Sequence, residues 1–412
     1  MSIKILAPMH TNVTKTQFKE HFDHSSFQTK PFENKLLNFL SLLSSNIIKR
    51  RESKMMPELM ALGFWLRKSN LEKIKVEFVS QSKNSVINKP RGIVFHVAPK
   101  NVDTIFIYSW ALSFLSGNHN IVRISSAGSK LIDIILEEIS ALAKFEGFSF
   151  VKHTQTFLTY TKNDDINSFF SQIANVRMIW GGDETISIFK KLKTKPNTKD
   201  LCFSNKESIA CIDSSAYNQL DVKTSSKIAE KFYNDSFWFE QMACSSPKYI
   251  FFIGPNKENI LCSSIFEKCL NAVINEKGYY ADITSNIGKL KNIFYAASKK
   301  DYLKSDRPPV FNKATFVNLN SKHFLNGNLK CHSGTFGKLH IENIYILEDL
   351  LKDNFQTLSY YGFSNSELNK FIDSNTKISI DRVVPIGQAL DFDKTWDSYD
   401  LLGELVRHVS VV

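Results

Sequence analysis

The 412-residue sequence is poor in glycine, proline and cysteine and contains no long apolar run. Its 16 glycines and 11 prolines are too few for a fibrous or low-complexity chain. The longest apolar stretch, Ile105–Leu115, is interrupted by serines and is much shorter than the roughly 20 residues of a membrane-spanning helix. We therefore expect a folded chain of about two or three domains without a membrane span.

Secretion signals and metal motifs are also missing from the sequence. The first residues, MSIKILAPMHTNVTK, include neither an apolar core region nor a small-residue cleavage site, so we expect a cytoplasmic protein. The six cysteines form no C-x-x-C pair and have no histidine at zinc-ligand spacing. We expect reduced thiols and no metal site.

The charge is basic but not of the kind that binds nucleic acid. The chain has 52 basic and 41 acidic residues, for a net charge of +11. Only nine of the basic residues are arginine, and the lysines are spread along the chain instead of forming an arginine-rich stripe. A solvated lysine surface is therefore the favoured interpretation, and no nucleic-acid partner is expected.

Apolar periodicity predicts helices over residues 31–80 and then an alternation of strands and helices. In the first series the predicted strands are 92–98, 120–125 and 176–180. Four helices are predicted in this series: one that ends at 116, one over 131–142, one over 166–173 and one that begins at 184. In the second series the predicted strands are 208–213, 249–253, 314–317 and 341–346, and the predicted helices are 223–232 and 257–273. This alternation predicts an α/β fold with parallel, doubly wound sheets.

The common catalytic fingerprints do not occur. There is no G-x-G-x-x-G, H-E-x-x-H or G-x-S-x-G, and no zinc deaminase signature. The segment SGTFGKL, residues 333–339, lacks the spacing and the Ser/Thr of a phosphate-binding loop, and we interpret it as a turn. His96 is interpreted as a hydrogen-bonded core residue.

Three less common segments remain. They are P-K-N at residues 99–101 with S-G-N-H-N-I-V-R-I-S-S at 116–126, G-G-D-E-T at 181–185, and F-E-Q-M-A-C-S-S-P at 239–247. Asp183 is a good N-cap, and the bare amides of a helix N-terminus favour a phosphate, although a Gly-Gly turn without a ligand fits equally well. Taken alone, Cys244 fits a buried core residue.

The order of these segments resembles the aldehyde dehydrogenase superfamily, specifically its fatty acyl-CoA reductase branch, to which the fatty acid reductase of bacterial bioluminescence belongs. Residues 56–71, 240–247, 355–362 and 382–407 also match that branch, so the resemblance covers nearly the whole chain from about Leu36. It implies an aldehyde-dehydrogenase-like fold with a doubly wound cofactor domain and an α/β catalytic domain. The implied domains are residues 1–207 for the cofactor, 208–381 for catalysis, and a C-terminal segment, 382–412, that packs on the first domain or on a partner subunit.

The resemblance also implies the roles of individual residues. Cys244 becomes the nucleophile that takes the acyl group from a thioester, and the amide of Asn101 becomes part of the oxyanion site. The implied cofactor-binding residues are Arg123, Ser125, Ser126, Gly181, Gly182 and Thr185.

Two departures from ordinary aldehyde dehydrogenases refine this expectation. In the E-L-G-G-K segment those enzymes carry a glutamate base that activates water, but here the stretch is Cys202–Lys206, and Glu207 falls out of register. In the K-P-S-E segment, here Arg123–Ser126, Ser126 replaces the acidic residue and an arginine stands first, which favours the 2'-phosphate of NADPH.

The expected reaction is therefore NADPH-dependent reduction of a long-chain fatty acyl-CoA, or of an acyl group donated by a protein, to a fatty aldehyde. The family resemblance implies an acyl-protein synthetase as a possible partner and a homo-oligomeric assembly. Two alternatives remain open, namely an aldehyde dehydrogenase that works oxidatively and a non-catalytic scaffold of an acyl-transfer complex. The presence of both Cys244 and Asn101 argues against the scaffold.

Overall fold

The structure is a computed structural model that describes residues 2–23, 29–81, 86–99, 104–124, 129–298, 313–326, 329–351, 353–375, 377 and 379–411. The chain divides into two compact units, which we call the first unit, Met1–Asn205 with Phe392–Val412, and the second unit, Lys206–Asp391. None of the described helices is both long and apolar enough to cross a bilayer.

The first unit begins with a mixed sequence of strands and helices. Its strands are β1 (Ile3–Ala7), β2 (Thr11–Val13), β3 (Val86–Pro90), β4 (Ile93–Val97), β5 (His119–Arg123), β6 (Gln155–Thr159), β7 (Val176–Trp180) and β8 (Lys199–Phe203). Its helices are α1 (Lys15–Asp23), α2 (Asn34–Lys49), α3 (Pro57–Trp65), α4 (Lys68–Gln81), α5 (Ile105–Leu115), α6 (Lys130–Leu142), α7 (Val151–Thr154), α8 (Asp164–Ile173) and α9 (Asp183–Lys190).

The second unit contains six strands and seven α-helices among its described residues. The strands are β9 (Glu207–Asp213), β10 (Pro247–Ile253), β11 (Thr315–Asn318), β12 (Thr335–Ile341), β13 (Phe355–Tyr361) and β14 (Arg382–Pro385). The helices are α10 (Ser214–Asn218), α11 (Val222–Phe237), α12 (Asn256–Glu276), α13 (Ile283–Ser298), α14 (Ser321–Asn326), α15 (Leu347–Leu350) and α16 (Asn365–Ser374). The chain then returns to the first unit through β15 (Thr395–Trp396), β16 (Tyr399–Asp400), α17 (Leu401–Leu405) and β17 (Val406–Ser410).

The sheet of the first unit has the order β2-β1-β6-β5-β4-β7-β8. Strands β4 to β8 are parallel, and β1 and β2 extend the edge in antiparallel pairing. The chain runs outward from β4 through β5 and β6, and then crosses to β7 on the other side of β4. This reversal is a topological switch point, and in such sheets ligands bind outside the carboxyl ends of the strands that flank it. The carboxyl ends of β4, β5 and β7 therefore mark the region where a cofactor site is expected.

Burial explains why these segments fold as predicted. All five residues of β7, VRMIW, are buried, as is usual for a parallel strand covered on both faces. Arg177, the one charged residue of this strand, donates to both carboxylate oxygens of Asp200, at 2.7 and 2.5 Å, and to the carbonyl of Phe189 at 2.8 Å. A buried guanidinium needs these partners because its desolvation would otherwise be very costly.

The sheet of the second unit has the order β11-β12-β10-β9-β13-β14, and all of its strand pairs are parallel. Two buried apolar clusters lie on its two faces. Phe232 of α11 and Phe266 of α12 pack on one face, and Leu347, Leu368 and Phe371 pack on the other. The predicted parallel, doubly wound α/β architecture is thus confirmed in both units.

Some elements differ from the prediction. The segment 333–339 is a turn only at Ser333 and Gly334, and Thr335 begins β12, so its interpretation as a turn was wrong. Gly337 serves close packing inside this strand, because a Cβ there would lie 2.5 Å from Cδ1 of Tyr249. The strand predicted at 341–346 ends at Ile341 and is followed by a 3-10 turn, Ile344–Ile346.

The chain passes between the two compact units at two places. We predicted boundaries after residues 207 and 381, whereas the two units meet in sequence at 205/206 and 391/392. Residues 382–385 stay with the second unit because β14 pairs with β13. Only Phe392–Val412 belongs to the first unit, where β17 pairs with β3.

Candidate active site

The loop that carries Cys244 is held by the strand beside it. This cysteine loop, residues 239–246, connects α11 to β10. Cys244 is half-buried, and its carbonyl oxygen accepts a hydrogen bond of 2.6 Å from the hydroxyl of Ser208 in β9. The same hydroxyl oxygen accepts from the N–H of Thr357 in β13, at 3.1 Å. The backbone at Cys244 is therefore fixed to two adjacent strands of the sheet.

Gln241 anchors the cysteine loop from the other side. Its side chain is buried, and its Oε1 accepts from the N–H groups of Gly334 and Thr335 at 2.8 and 3.0 Å. Its Nε2 donates to the carbonyl oxygens of Pro247 and Thr335, each at 3.1 Å. These four bonds explain physically why a glutamine precedes the cysteine by three residues.

Gln241 belongs to one of two facing turns whose residues have a left-handed backbone conformation. Glu240 and Gln241 have φ values of 51° and 58°, and Ser333 and Gly334 have φ values of 51° and 75°. The N–H of Ser333 donates to the carbonyl oxygen of Glu240 at 3.1 Å. Non-glycine residues in this region of φ each cost about 1–3 kcal/mol and concentrate at functional sites. Backbone strain is thus located beside Cys244.

Asp235, near the end of α11, joins the cysteine loop to the segment that follows β14. Its carbonyl oxygen accepts from the hydroxyl of Ser246 at 2.7 Å. Its buried carboxylate accepts from the N–H groups of Gly387 and Ala389 at 2.6 and 3.0 Å. Burial nevertheless raises the pKa of Asp235 to about 7. The sequence contained a signal for this residue, because Asp235 follows Ile228 and Phe232 at helical spacing on the buried side of α11.

In the first unit, the Gly-Gly turn lies at the carboxyl end of β7. Gly182 is the N-cap of α9, and Thr185 lies in its first turn, half-buried. A Cβ at Gly181 would lie 3.0 Å from two side-chain carbons of Thr185, and one at Gly182 would lie 3.1 Å from Nδ2 of Asn205. The glycines therefore keep the strand-to-helix turn tight, and backbone N–H groups of the first turn of α9 remain available to a phosphate. The exposed Asp183 and Glu184 in the same turn already interact favourably with the helix dipole.

Arg123 is the last residue of β5 and lies at the carboxyl edge of the same sheet as the Gly-Gly turn. Its guanidinium lies over the ring of Tyr160, 4.8 Å from the centroid, and its carbonyl oxygen accepts from the N–H of Ala98 at 3.0 Å. The hydroxyl of Tyr160 donates to Asn167 at 2.8 Å. Tyr160 was not singled out from the sequence, because nothing in its local pattern places it beside Arg123.

Other predicted residues lie outside the described part of the chain. Asn101, Ser125 and Ser126 are among them, so their predicted roles stay predictions. A cleft of about 590 Å³, also not foreseen, runs beside α9 in the first unit and reaches the end of β8. It is lined by Asp183, Ile186, Ser187, Lys190, Lys191, Cys202 and Ser204.

The stretch that corresponds to E-L-G-G-K carries no carboxylate at the expected place. Cys202 and Phe203 end β8, and the ring of Phe203 stacks on Trp180 at 3.8 Å between centroids. Glu207 begins β9 in the second unit, where its carboxylate lies 3.7 Å from Nζ of Lys248. Glu207 is therefore an ion-pair partner in its own sheet.

The sequence predicted that His96 is a hydrogen-bonded core residue. His96 is fully buried and its Nε2 lies 2.9 Å from Oδ1 of Asn120, which confirms a core histidine. Burial lowers the pKa of His96 to about 4.

Among the described residues, no group of three or more His, Cys, Asp or Glu side chains is arranged to hold a metal ion. All six cysteines lie in the described residues, and none of them forms a disulfide.

Solved structures with the same fold include aldehyde dehydrogenases. The chain aligns with succinic semialdehyde dehydrogenase from Streptococcus pyogenes in complex with NADP+, with a TM-score of 0.67 and 12% identity over 99% of both chains. GapN, the glyceraldehyde-3-phosphate dehydrogenase from Methanocaldococcus jannaschii complexed with NADP, aligns with a TM-score of 0.63 and 11% identity over 97% of this chain and 94% of that one. An NAD-dependent benzaldehyde dehydrogenase from Corynebacterium glutamicum aligns with a TM-score of 0.62 and 12% identity over 92% and 82% of the two chains.

A family model assigns the chain more narrowly. The model of the acyl-CoA reductase (LuxC) family matches residues 17–278, which is more than half of the chain. No curated protein matches the chain significantly. The chain therefore belongs to the acyl-CoA reductase (LuxC) family of oxidoreductases and has the fold of the aldehyde dehydrogenase superfamily.

Proposed function

We propose that the protein reduces a long-chain fatty acyl thioester to a fatty aldehyde with NADPH, through an acyl group carried on Cys244. The observation that supports this proposal most directly is the position of Cys244 in a loop fixed by Gln241 and Ser208. A nucleophile that is held in place loses little freedom when it reacts, and such positioning lowers the barrier of a displacement.

In the first step the thiolate of Cys244 attacks the thioester carbonyl carbon. A carbon–sulfur bond to Cys244 forms, the bond to the sulfur of coenzyme A breaks, and coenzyme A leaves as a thiolate that takes up a proton. The new thioester on the enzyme is as electrophilic as the one consumed. The amide of Asn101, with the backbone N–H of Cys244, is the proposed oxyanion site, and removing one such donor typically costs about 10²- to 10³-fold in rate.

In the second step the acyl group on Cys244 is reduced. When bound, the nicotinamide cofactor would supply a hydride to the carbonyl carbon of the acyl group on Cys244, and the oxyanion donors would stabilise the negative oxygen that forms. When the carbon–sulfur bond to Cys244 breaks, the aldehyde leaves and the thiolate is regenerated. The overall reaction consumes one acyl thioester, one NADPH and one proton, and it yields the aldehyde, coenzyme A and NADP+.

The residues at the carboxyl edge of the first sheet suit a phosphorylated cofactor. In this proposal the N–H groups at the start of α9 bind the pyrophosphate, and Gly181 and Gly182 allow its close approach. Arg123, with Ser125 and Ser126, would bind the 2'-phosphate of NADPH, since a guanidinium pairs well with a dianionic phosphate. The carboxylates of Asp183 and Glu184 in the first turn of α9 disfavour a phosphorylated cofactor by charge repulsion. The positive charge of Arg123 is therefore more important for cofactor binding.

The experiment that tests the proposal is a product assay. Purified protein is incubated with a long-chain acyl-CoA and NADPH, and both cofactor oxidation and aldehyde are measured, with Cys244→Ala as the control. We expect one aldehyde for each NADPH consumed, and none with the variant. If the protein instead makes NADPH from an aldehyde and NADP+ but cannot reduce acyl-CoA, the oxidative alternative holds.

A further inference from the structure

The last turn of α11 holds the cysteine loop by its backbone carbonyl groups. Carbonyl oxygens in the last turn of a helix have no partner within the helix. Here the carbonyl oxygen of Asp235 accepts from the hydroxyl of Ser246 at 2.7 Å. The carbonyl oxygen of Ser236 accepts from the N–H of Gln241 at 2.8 Å. Both donors belong to the cysteine loop, and Ser246 lies two residues after Cys244, so the position of the loop depends on this helical turn.

The side chain of Asp235 attaches the same turn to the segment that follows β14. Asp235 is buried, with 1% of its surface exposed, and its two carboxylate oxygens accept separately from the N–H groups of Gly387 and Ala389. Arg382 holds the same segment by its carbonyl groups, because the guanidinium donates to Asp391 at 2.9 Å and to Ala389 at 3.3 Å. The segment is therefore fixed through both its N–H and its carbonyl groups, and it gives Asp235 a well-defined partner.

Packing alone does not require a carboxylate at this place. Moving an ionised carboxylate out of water costs much more free energy than burying an amide or an apolar group. The two N–H groups offset part of that cost, because hydrogen bonds to an ionised acceptor are about twice as strong as neutral ones. We propose that Asp235 is a positioning residue, whose carboxylate fixes the last turn of α11 and thereby sets the position of Cys244 for attack on the thioester. The inference rests on the proposed function of Cys244.

The charge of Asp235 should affect the loop over a defined pH range. Burial raises the pKa of Asp235 to about 7, although the two N–H groups oppose this shift. Of the charged groups that face the carboxylate, Asp391 raises its pKa further and Arg382 lowers it. Lys231, one turn earlier on α11, is exposed and lies beside Gly387. Above about pH 7 the anion accepts both N–H groups strongly, so the hold on the cysteine loop should weaken as the pH falls through that value.

The test compares Asp235→Asn with Asp213→Asn in the full chain. Asparagine keeps the size of the side chain at Asp235 but turns an NH2 group toward one of the two N–H groups, so one hydrogen bond is replaced by repulsion. Asp213 caps α10 at the end of β9 opposite to Ser208, and asparagine caps a helix as well as aspartate does. The second substitution is therefore a matched control.

Two reactions of Cys244 are measured from about pH 6 to pH 9, acylation by acyl-CoA and alkylation by iodoacetamide. Both need the thiolate, but only acylation needs alignment with a bound thioester, so the ratio of the two rates measures positioning. A displacement of 1 Å can cost about 100-fold in rate, and we expect Asp235→Asn to lose about 10- to 100-fold in acylation but little in alkylation. Asp213→Asn should match the wild type. The wild-type ratio should fall as the pH drops through about 7, and in Asp235→Asn it should be low at every pH.

A second variant keeps the proposal testable if Asp235→Asn does not fold. Ser246→Ala removes the hydroxyl that donates to the carbonyl oxygen of Asp235, and it should also lower acylation relative to alkylation. Its control is Ser263→Ala, at a buried serine whose hydroxyl donates within α12. The double variant of Asp235 and Ser246 should lose less than the product of the two single losses, because both residues act through one helical turn.

Three results would overturn the proposal. They are a wild-type ratio of acylation to alkylation in the folded variants, equal losses in the two reactions, and single losses that multiply in the double variant. Equal losses in acylation and alkylation would mean that Asp235 serves only the stability of the fold. Failure of the wild type to become acylated would instead refute the proposed function of Cys244.

Discussion

The side chain of Gln241 and the backbone of Thr335 exchange two hydrogen bonds, as two peptide units do in a sheet. Nε2 of Gln241 donates to the carbonyl oxygen of Thr335 at 3.1 Å, and Oε1 accepts the N–H of Thr335 at 3.0 Å. The two residues are 94 positions apart in the sequence. This contact ties the loop of Cys244 to the start of β12, so the position of the loop depends on a distant strand.

We predict that Gln241→Glu weakens this contact although the two side chains have the same shape. The carboxylate keeps two acceptors for the N–H groups of Gly334 and Thr335, but it loses both donors and faces two carbonyl oxygens. An unsatisfied buried acceptor costs about 1–3 kcal/mol. The loss should show in chemical denaturation and in slower acylation of Cys244. Gln172→Glu, at an exposed glutamine in α8, is the matched control and should change neither.

A second prediction concerns Arg123 and the choice of cofactor. If Arg123 binds the 2'-phosphate, Arg123→Ala should weaken NADPH about 10- to 150-fold and NADH little, since one charge-assisted hydrogen bond is lost. Tyr160→Leu should give a smaller loss of the same kind, because the ring no longer supports the guanidinium. Tyr160→Phe keeps the ring and serves as the control. Titration of both cofactors measures these effects, and equal losses for NADH and NADPH would show that Arg123 does not recognise the phosphate.

The buried histidine should make the first unit sensitive to acid. The pKa of His96 is lowered from 6.5 to about 4 by burial, so the folded state binds a proton less readily than the unfolded state. The stability that depends on neutral His96 is complete above pH 6.5 and is lost as the pH falls toward about 4. Between about pH 7.5 and pH 5 the free energy of unfolding should fall by about 2 kcal/mol more in the wild type than in His96→Gln. Identical pH dependence in urea denaturation of the two proteins would contradict a buried neutral histidine.

The fate of the acyl group is a further prediction. Glu207 begins β9 beside Lys248, and the stretch from Cys202 to Lys206 carries no carboxylate to activate water. The acylated enzyme should therefore hydrolyse slowly, and aldehyde should be released only after NADPH is added. Release of fatty acid without cofactor, at a rate comparable to turnover, would indicate another base and support the oxidative alternative.

The sequence predicted the parallel sheets because their strands are short apolar runs between helices with clear periodicity. It missed β6 and β8, since Gln155 and Thr156 are polar although buried, and Lys199 and Asp200 look like the end of a loop. Asp200 belongs to a strand because it pairs with the buried Arg177. That partner lies 23 residues away, which local pattern does not reveal.

The candidate site was predictable only in part, for a similar reason. The family motif singled out Cys244, and local spacing placed Gly181 and Gly182 at a strand-to-helix turn. The residues that hold the cysteine loop come from distant positions. Ser208 and Thr335 are brought to the loop by the order of the strands, and Tyr279 by the segment that precedes α13. No short segment of sequence contains that information.

The account depends most on Cys244 carrying the acyl group. The direct measurement is intact-protein and peptide mass spectrometry after the protein is mixed with a long-chain acyl-CoA in the absence of cofactor. We predict one acyl group per chain, located on the peptide that contains Cys244, absent from Cys244→Ala and removed when NADPH is added. An acyl group on another of the six cysteines, or an unchanged mass in the wild type, would contradict the account.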